Sequence, residues 1–387
     1  MKKVGIITFY HGSHNYGGLL QAYAMCEVVR ARGYDVQQIS FNSKKQQAQQ
    51  TEKTGYSGQF RSFLRTVNSK FRTALLRRKF RTRQAGFREF RDSIPHSKEF
   101  TSDTIVACND IYDIFITGSD QVWNPNYMLP EYLLDFVRDK PKFAYAASVS
   151  QTLLTEEQEQ RFAVSLSDYI GVSVREKENA EQFRKIYTNV QWVLDPTLLI
   201  EKDDWDKIAS SRIIKEDYLF CYFIGCNKDS RRMAMQYAKA HSLKIVCIPY
   251  FNNVWCRADS GFGDYKLYKV SPNEWISLIK YATCVFTDSF HATVFANIFE
   301  KDFFVYNREK TGTMNNRIYS LLGMLARTDR FIDTKEKMYC DYLNSMGHID
   351  YSLRALEFVK IHSASNAYLD DCLKKSLDVI TRENQNE

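Results

Sequence analysis

Proline and glycine are scarce in this chain, 7 and 16 among 387 residues, which excludes collagen-like, linker-dominated and low-complexity architectures. Long apolar runs are missing too, and no stretch approaches the roughly 20 residues of a membrane-spanning helix. Met1, Lys2 and Lys3 lead straight into the strand-like VGIITF, and Gly12, His14 and Asn15 interrupt the residues after it, so no secretory leader is expected. The nine cysteines, at 26, 108, 221, 226, 247, 256, 284, 340 and 372, contain no CxxC pair and no zinc-like spacing. Several fall inside apolar strand patterns, and the expectation is a set of reduced, buried thiols in a cytoplasmic protein. The absence of an internal repeat excludes a solenoid.

What remains is an ordinary globular composition, 44% hydrophobic and 26% charged, in a chain long enough for two domains. The formal charge of +7 is uneven. Residues 61–91 hold eleven Lys or Arg against one acid, Glu89, so the basicity is local and the remainder is slightly acidic. There Phe60, Phe63, Leu64, Val67, Phe71, Leu75, Phe80, Phe87 and Phe90 recur at three to four residue steps, which predicts a basic amphipathic helical insert over about 60–92. Such a segment suits an anionic membrane surface, or packs on its own domain through the phenylalanines. Nucleic acid is not expected, because no binding module accompanies the charge.

Strand-like runs at 3–9, 34–39, 113–117, 143–147, 170–174 and 191–194 alternate with helical patterns such as 18–31, 155–168 and 176–187. A second series comes after them, with strands near 217–224, 243–248, 283–287 and 302–305 and helices near 228–241, 272–281, 291–299 and 315–324. Alternation of this kind predicts an α/β fold of two Rossmann-like domains with parallel sheets. The Asp195-Pro196 step breaks the pattern and sets the expected divisions at 1–195, 196–350 and 351–387, the last being helices with a frayed tail from Arg382.

Four loops at predicted strand ends are expected to line the cleft between such domains. In VFTDSFHATVFANIF (285–299) a strand runs into a helix with His291 at the junction, and Asp288 and Ser289 are N-cap types. In FYHGSHNYGGLLQAYAM (9–25) Asn15, Gly17 and Gly18 open a helix where backbone can approach an anion, although neither a Walker loop nor GxGxxG is present. IFITGSDQVWNP (114–125) ends a strand with Ser119 and Asp120, the latter able to accept a hydroxyl proton. Trp123 there is either a sugar platform or a core side chain. In IGVSVREKENA (170–180) Arg175 offers planar donors to a carboxylate or phosphate, or pairs with Glu176 or Glu178.

These blocks, together with VLDPTLL and NNRIYSLL, resemble the polysaccharide pyruvyl transferase family over roughly residues 3–325. The resemblance implies a GT-B-like fold. It also implies transfer of the pyruvyl group of phosphoenolpyruvate to a sugar of a capsular, exopolysaccharide or lipid-linked precursor, as a cyclic ketal with release of phosphate. It makes His291 and Asp120 the catalytic pair and Arg175 a donor-holding residue, and calls for no metal or cofactor beyond the donor substrate. Several members carry an arginine where this chain has Ser289, so Arg308 or Arg317 is expected to supply that charge. Histidine serves as acid or base near neutrality, which fits protonation of C3 or of the leaving phosphate. The rival expectations are a glycosyltransferase using a nucleotide sugar, and a non-catalytic scaffold of a capsule-assembly complex docked through 61–91.

Overall fold

The computed structural model describes residues 1–42, 83–126, 128–151, 153–249, 256–308, 316–333, 340–352 and 355–386. Two parallel sheets organise them. In the first, β1 (Lys3–Ile7), β2 (Asp35–Phe41), β3 (His96–Phe100), β4 (Ile114–Gly118) and β5 (Lys142–Tyr145) lie in the order β3-β2-β1-β4-β5. β6 (Val172–Val174) pairs with β7 (Val190–Trp192), and bridges from Phe143 to Gly171 and Ala147 to Val174 carry β5 onto β6. The second sheet holds β8 (Tyr218–Tyr222), β9 (Lys244–Cys247), β10 (Tyr265–Lys266), β11 (Cys284–Thr287), β12 (Asp302–Tyr306) and β13 (Phe331–Ile332) in the order β10-β9-β8-β11-β12-β13. Each order reverses beside its first strand, the arrangement in which ligands collect at the strands' carboxyl ends.

Local chemistry explains the placement of the helices behind those ends. Asn15 caps Tyr16–Arg30 by accepting from Gly17 N, and Ser271 with Glu274 forms a capping box on Pro272–Lys280. Central strands such as β4 are buried along their whole length, as a sheet covered on both faces requires. The edge strands β3, β10 and β13 and the helices Lys202–Ile208 and Cys340–Ser345 are not expected from the sequence, being short or mostly polar. The frayed tail expected from Arg382 is instead the end of the helix Leu356–Asn386. That helix returns to the first half: Ser365 Oγ accepts from Leu194 N at 2.9 Å, and Tyr368 Oη donates to Ala144 O at 2.7 Å.

Among the described residues one of three hydrophobic clusters spans both halves, and the other two lie within one half each. Tyr16 stacks on Trp275 at 5.3 Å and its hydroxyl donates to Val270 O at 2.9 Å, both rings being fully buried. Phe87 lies 4.7 Å from Tyr16, and Trp205 sits between Tyr23 and Phe295. Each ring so buried contributes about 2–3 kcal/mol by removal from water. Residues 83–93 form a helix whose Phe87 and Phe90 are buried and whose Arg83 lies over the Tyr16 ring, so this end of the basic segment packs on its own molecule. The rest of the predicted insert, 60–82, lies outside the described residues.

Six described cysteines are free and buried, as expected. Cys226 and Cys256 depart from the expectation. They form a disulfide with Cα atoms 5.7 Å apart, a pairing across 30 residues that no local spacing announces.

Candidate active site

Every loop singled out in the sequence lies at the carboxyl end of a strand. After β7, Asp195 caps a short turn by accepting from Thr197 N and Oγ1, with Pro196 fixing the first position. Its carboxylate is fully buried. Oδ2 accepts from Ser119 Oγ at 2.9 Å and from Arg175 Nη1 at 2.7 Å, and stands 3.5 Å from His291 Nε2. Burial alone would raise this carboxyl; His291, Arg175 and Thr197 outweigh it and hold the group well below the usual carboxylate range. The acid in contact with His291 is therefore Asp195, a residue that the sequence reading takes only as a break in the strand and helix pattern.

His291 itself is 7% exposed, at the first turn of Phe290–Ile298. Ser289, expected to touch substrate, is occupied as the cap of that helix, with Oγ accepting from Ala292 N. Asp288 is likewise committed, its two oxygens accepting from Ile224 N and Gly225 N at 2.7 Å each. The loop is thus a capping turn and, at the same time, the element that brings His291 into the site.

Asp120 follows β4 through a strained turn. Gly118 has φ +118, and a Cβ there would stand 2.0 Å from Tyr145 O, so only glycine fits. Asp120 has φ +53, held by Ser148 N donating to its carbonyl at 2.9 Å. Its Oδ2 reaches the helix Tyr16–Arg30 at Gly18, where a Cβ would lie 3.5 Å from it. The neighbouring Trp123 corrects the sugar-platform reading. It is fully buried, stacked on Phe183 at 5.5 Å with Nε1 donating to Tyr132 O, and shows no face to a ligand. Ser119 is also buried and serves Asp195. Asn15 is exposed but its Oδ1 accepts from Gly17 N at 3.1 Å, so that N–H is not offered to an anion.

Three arginines gather in the site. Arg175 lies buried under the Phe290 ring at 4.2 Å, between Asp195 and Glu176, yet its Nε and Nη2 have no hydrogen-bond partner. Arg308, after β12, donates from Nη2 to Asp288 O at 3.2 Å and leaves Nε unpartnered and buried. Arg317, in the helix Asn316–Met324, is buried with Nε unpartnered. Burial first, then Arg308 and Arg175, push the Arg317 guanidinium down to about 10, while Asp120 and Glu176 oppose them. Those mutual influences put Arg175, Arg308, Arg317, Asp120 and Glu176 in one neighbourhood. Glu176 appears in the sequence only as a pairing candidate for Arg175; in the site its Oε1 accepts from Ser148 Oγ and its Oε2 is buried without a partner. Among the described residues no cluster of His, Cys, Asp and Glu could hold a metal ion.

Buried guanidinium N–H groups without partners are costly unless an anion completes them. Three such arginines, with a histidine that has a carboxylate behind it and with Asp120 as a second carboxylate in the same neighbourhood, can bind a compact polyanion and move protons at it.

Among solved structures the chain is similar to a UDP-N-acetylglucosamine 2-epimerase from Rickettsia bellii, at 10% identity and TM-score 0.55 over 100% of both chains. It is also similar to the UDP-GlcNAc 2-epimerase from Methanocaldococcus jannaschii, at 9% identity and TM-score 0.50 over 94% of this chain and 98% of that one. At such identity the likeness carries the fold, two Rossmann-like halves of the GT-B kind, and not the activity. No curated protein matches the sequence. The profile of the polysaccharide pyruvyl transferase family matches residues 15–310, a span that holds Asp120, Arg175, Asp195, His291 and Arg308, and so the chain is a transferase belonging to the polysaccharide pyruvyl transferase family.

Proposed function

We propose that the donor is phosphoenolpyruvate and that the product is a cyclic pyruvate ketal on one sugar of a polysaccharide precursor. The observation that carries this reading is the trio of arginines with unpartnered buried N–H groups beside His291. Phosphoenolpyruvate presents a carboxylate and a phosphate a few bonds apart, the pattern that planar guanidinium donors match. Arg317 and Arg308 supply the charge that Ser289 lacks.

The chemistry needs two hydroxyl protons removed. The first hydroxyl adds to C2 while C3 takes a proton; the second displaces phosphate from C2, and the departing phosphate takes the other proton. In this reading His291 delivers the proton, at C3 or at the phosphate, and Asp120 receives one from the attacking hydroxyl. Asp195 stands behind the imidazole as the group that orients it and stabilises its charged form.

Incubation with phosphoenolpyruvate and a panel of synthetic or lipid-linked glycans tests the reading through phosphate release and the mass of the ketal product. Raised thermal stability with a nucleotide sugar, and none with phosphoenolpyruvate, would instead support a glycosyltransferase. A lipid-linked acceptor at an anionic membrane surface, reached through the basic residues 61–91, belongs to the same proposal. No described helix is long and apolar enough to cross a membrane. Binding to vesicles that ignores both anionic lipid content and salt would remove the membrane part while leaving the donor chemistry standing.

A further inference from the structure

We propose that Gly17 is a positioning residue that seats the imidazole of His291, with Tyr16 as the pin that holds the seat; this rests on the reading of His291 as the catalytic acid.

A glycine at position 17 needs explaining. It is the second residue of the helix Tyr16–Arg30, with a helical backbone that any residue adopts. Its N–H is already given to Asn15 Oδ1, so anion binding does not account for it. What does is the opposite half of the molecule. A Cβ on Gly17 would stand 2.0 Å from His291 Nδ1, 2.4 Å from Cγ and 2.8 Å from Cε1. The imidazole therefore lies against bare backbone, and in a close-packed interior any side chain would force it back by roughly 1 Å or more. It has nowhere suitable to go, since Asp195 Oδ2 stands 3.5 Å behind Nε2 and the Phe290 ring lies 5.1 Å away.

The seat is fixed relative to the histidine's own helix. Tyr16 is fully buried, its ring stacked 5.3 Å from Trp275 and its hydroxyl bonded to Val270 O. Trp275 in turn packs edge-on against Phe295, one turn along from His291 in Phe290–Ile298. A closed circuit from Gly17 through Tyr16, Trp275 and Phe295 returns to His291. The imidazole is thus held between Gly17 on one side and Asp195 on the other, which limits its tilt.

Misplacing a catalytic group by about 1 Å costs on the order of 100-fold in rate. The expected result for Gly17→Ala is a kcat lower by about that factor with the KM for phosphoenolpyruvate close to the parent's, and a folded protein whose melting temperature is lowered by the overpacking. The decisive measurement is the double variant. If Gly17 acts through His291, then adding Gly17→Ala to His291→Ala changes kcat by less than about 2-fold. Imidazole added to the medium should restore part of the activity of His291→Ala, and that rescue should vanish once Gly17→Ala fills the seat. A Gly17→Ala enzyme with native kcat, or one whose full loss recurs in the His291→Ala background, overturns the proposal. Native activity of His291→Ala alone is a separate result and removes the catalytic reading of the histidine. Should Gly17→Ala fail to fold, Tyr16→Phe carries the test: it keeps the stacked ring and loses the hydroxyl's bond to Val270 O and its interaction with Arg83, and an unchanged kcat counts against the pin.

Discussion

At the scale of single residues, Asp195 shows how a group can be visible in a sequence and still be misread. The Asp-Pro step looks like a chain break, because a capping aspartate before proline has the same appearance whether or not its second oxygen faces a histidine. Nothing local to 193–199 signals Arg175 or His291. Asp195 also sets an acid limit on stability. Its folded pKa lies below its unfolded value of about 3.9, so it stabilises the protein above that pH, and the contribution is lost as the pH falls further toward the folded value. Melting temperatures followed by circular dichroism should therefore drop below about pH 4 in the parent and less steeply in Asp195→Asn; parallel curves would mean that the ionised pair contributes nothing. Arg317 behaves oppositely. Its pKa is lowered to about 10, so its charge costs stability below that pH. Arg317→Met should raise the melting temperature while also raising the KM for phosphoenolpyruvate, and a lower melting temperature with unchanged KM would refute the assignment.

At the scale of elements, the long, strongly apolar strands and the capped helices are legible in the sequence, since both the period and the caps lie within a dozen residues. β3, β10 and β13 are not. Their sequences, HSKEF, YK and FI, are edge strands with too few apolar residues to show a period, and only pairing with a neighbour makes them strands. The end of the chain misleads for a related reason: the polar residues after 381 look like a tail, but the helix that carries them is anchored further back by Ser365, Tyr368, Leu369 and Leu373. Ser365→Ala tests that anchoring. It leaves the buried N–H of Leu194 without its acceptor, next to Asp195, and should cost about 1–3 kcal/mol in chemical denaturation. A change under about 0.5 kcal/mol would mean that the helix merely rests on the sheet.

At the scale of the whole molecule, the two-domain α/β class is legible from the alternation of strands and helices, but the way the halves are joined is not. Tyr16 and Trp275 are separated by more than half the chain, and stacking between them has no periodic trace. Because the largest hydrophobic cluster spans both halves, unfolding should occur in a single transition, with tertiary and secondary signals coincident and calorimetric and van't Hoff enthalpies equal. Two separable transitions would show that the aromatic seam couples the halves weakly. The linker between the halves has a further effect. Asp195 is at once the residue where the chain leaves the first half and the carboxylate behind His291, so the halves cannot part without drawing acid and imidazole away from each other. Any movement that parts the halves would therefore also loosen the imidazole that Asp195 faces.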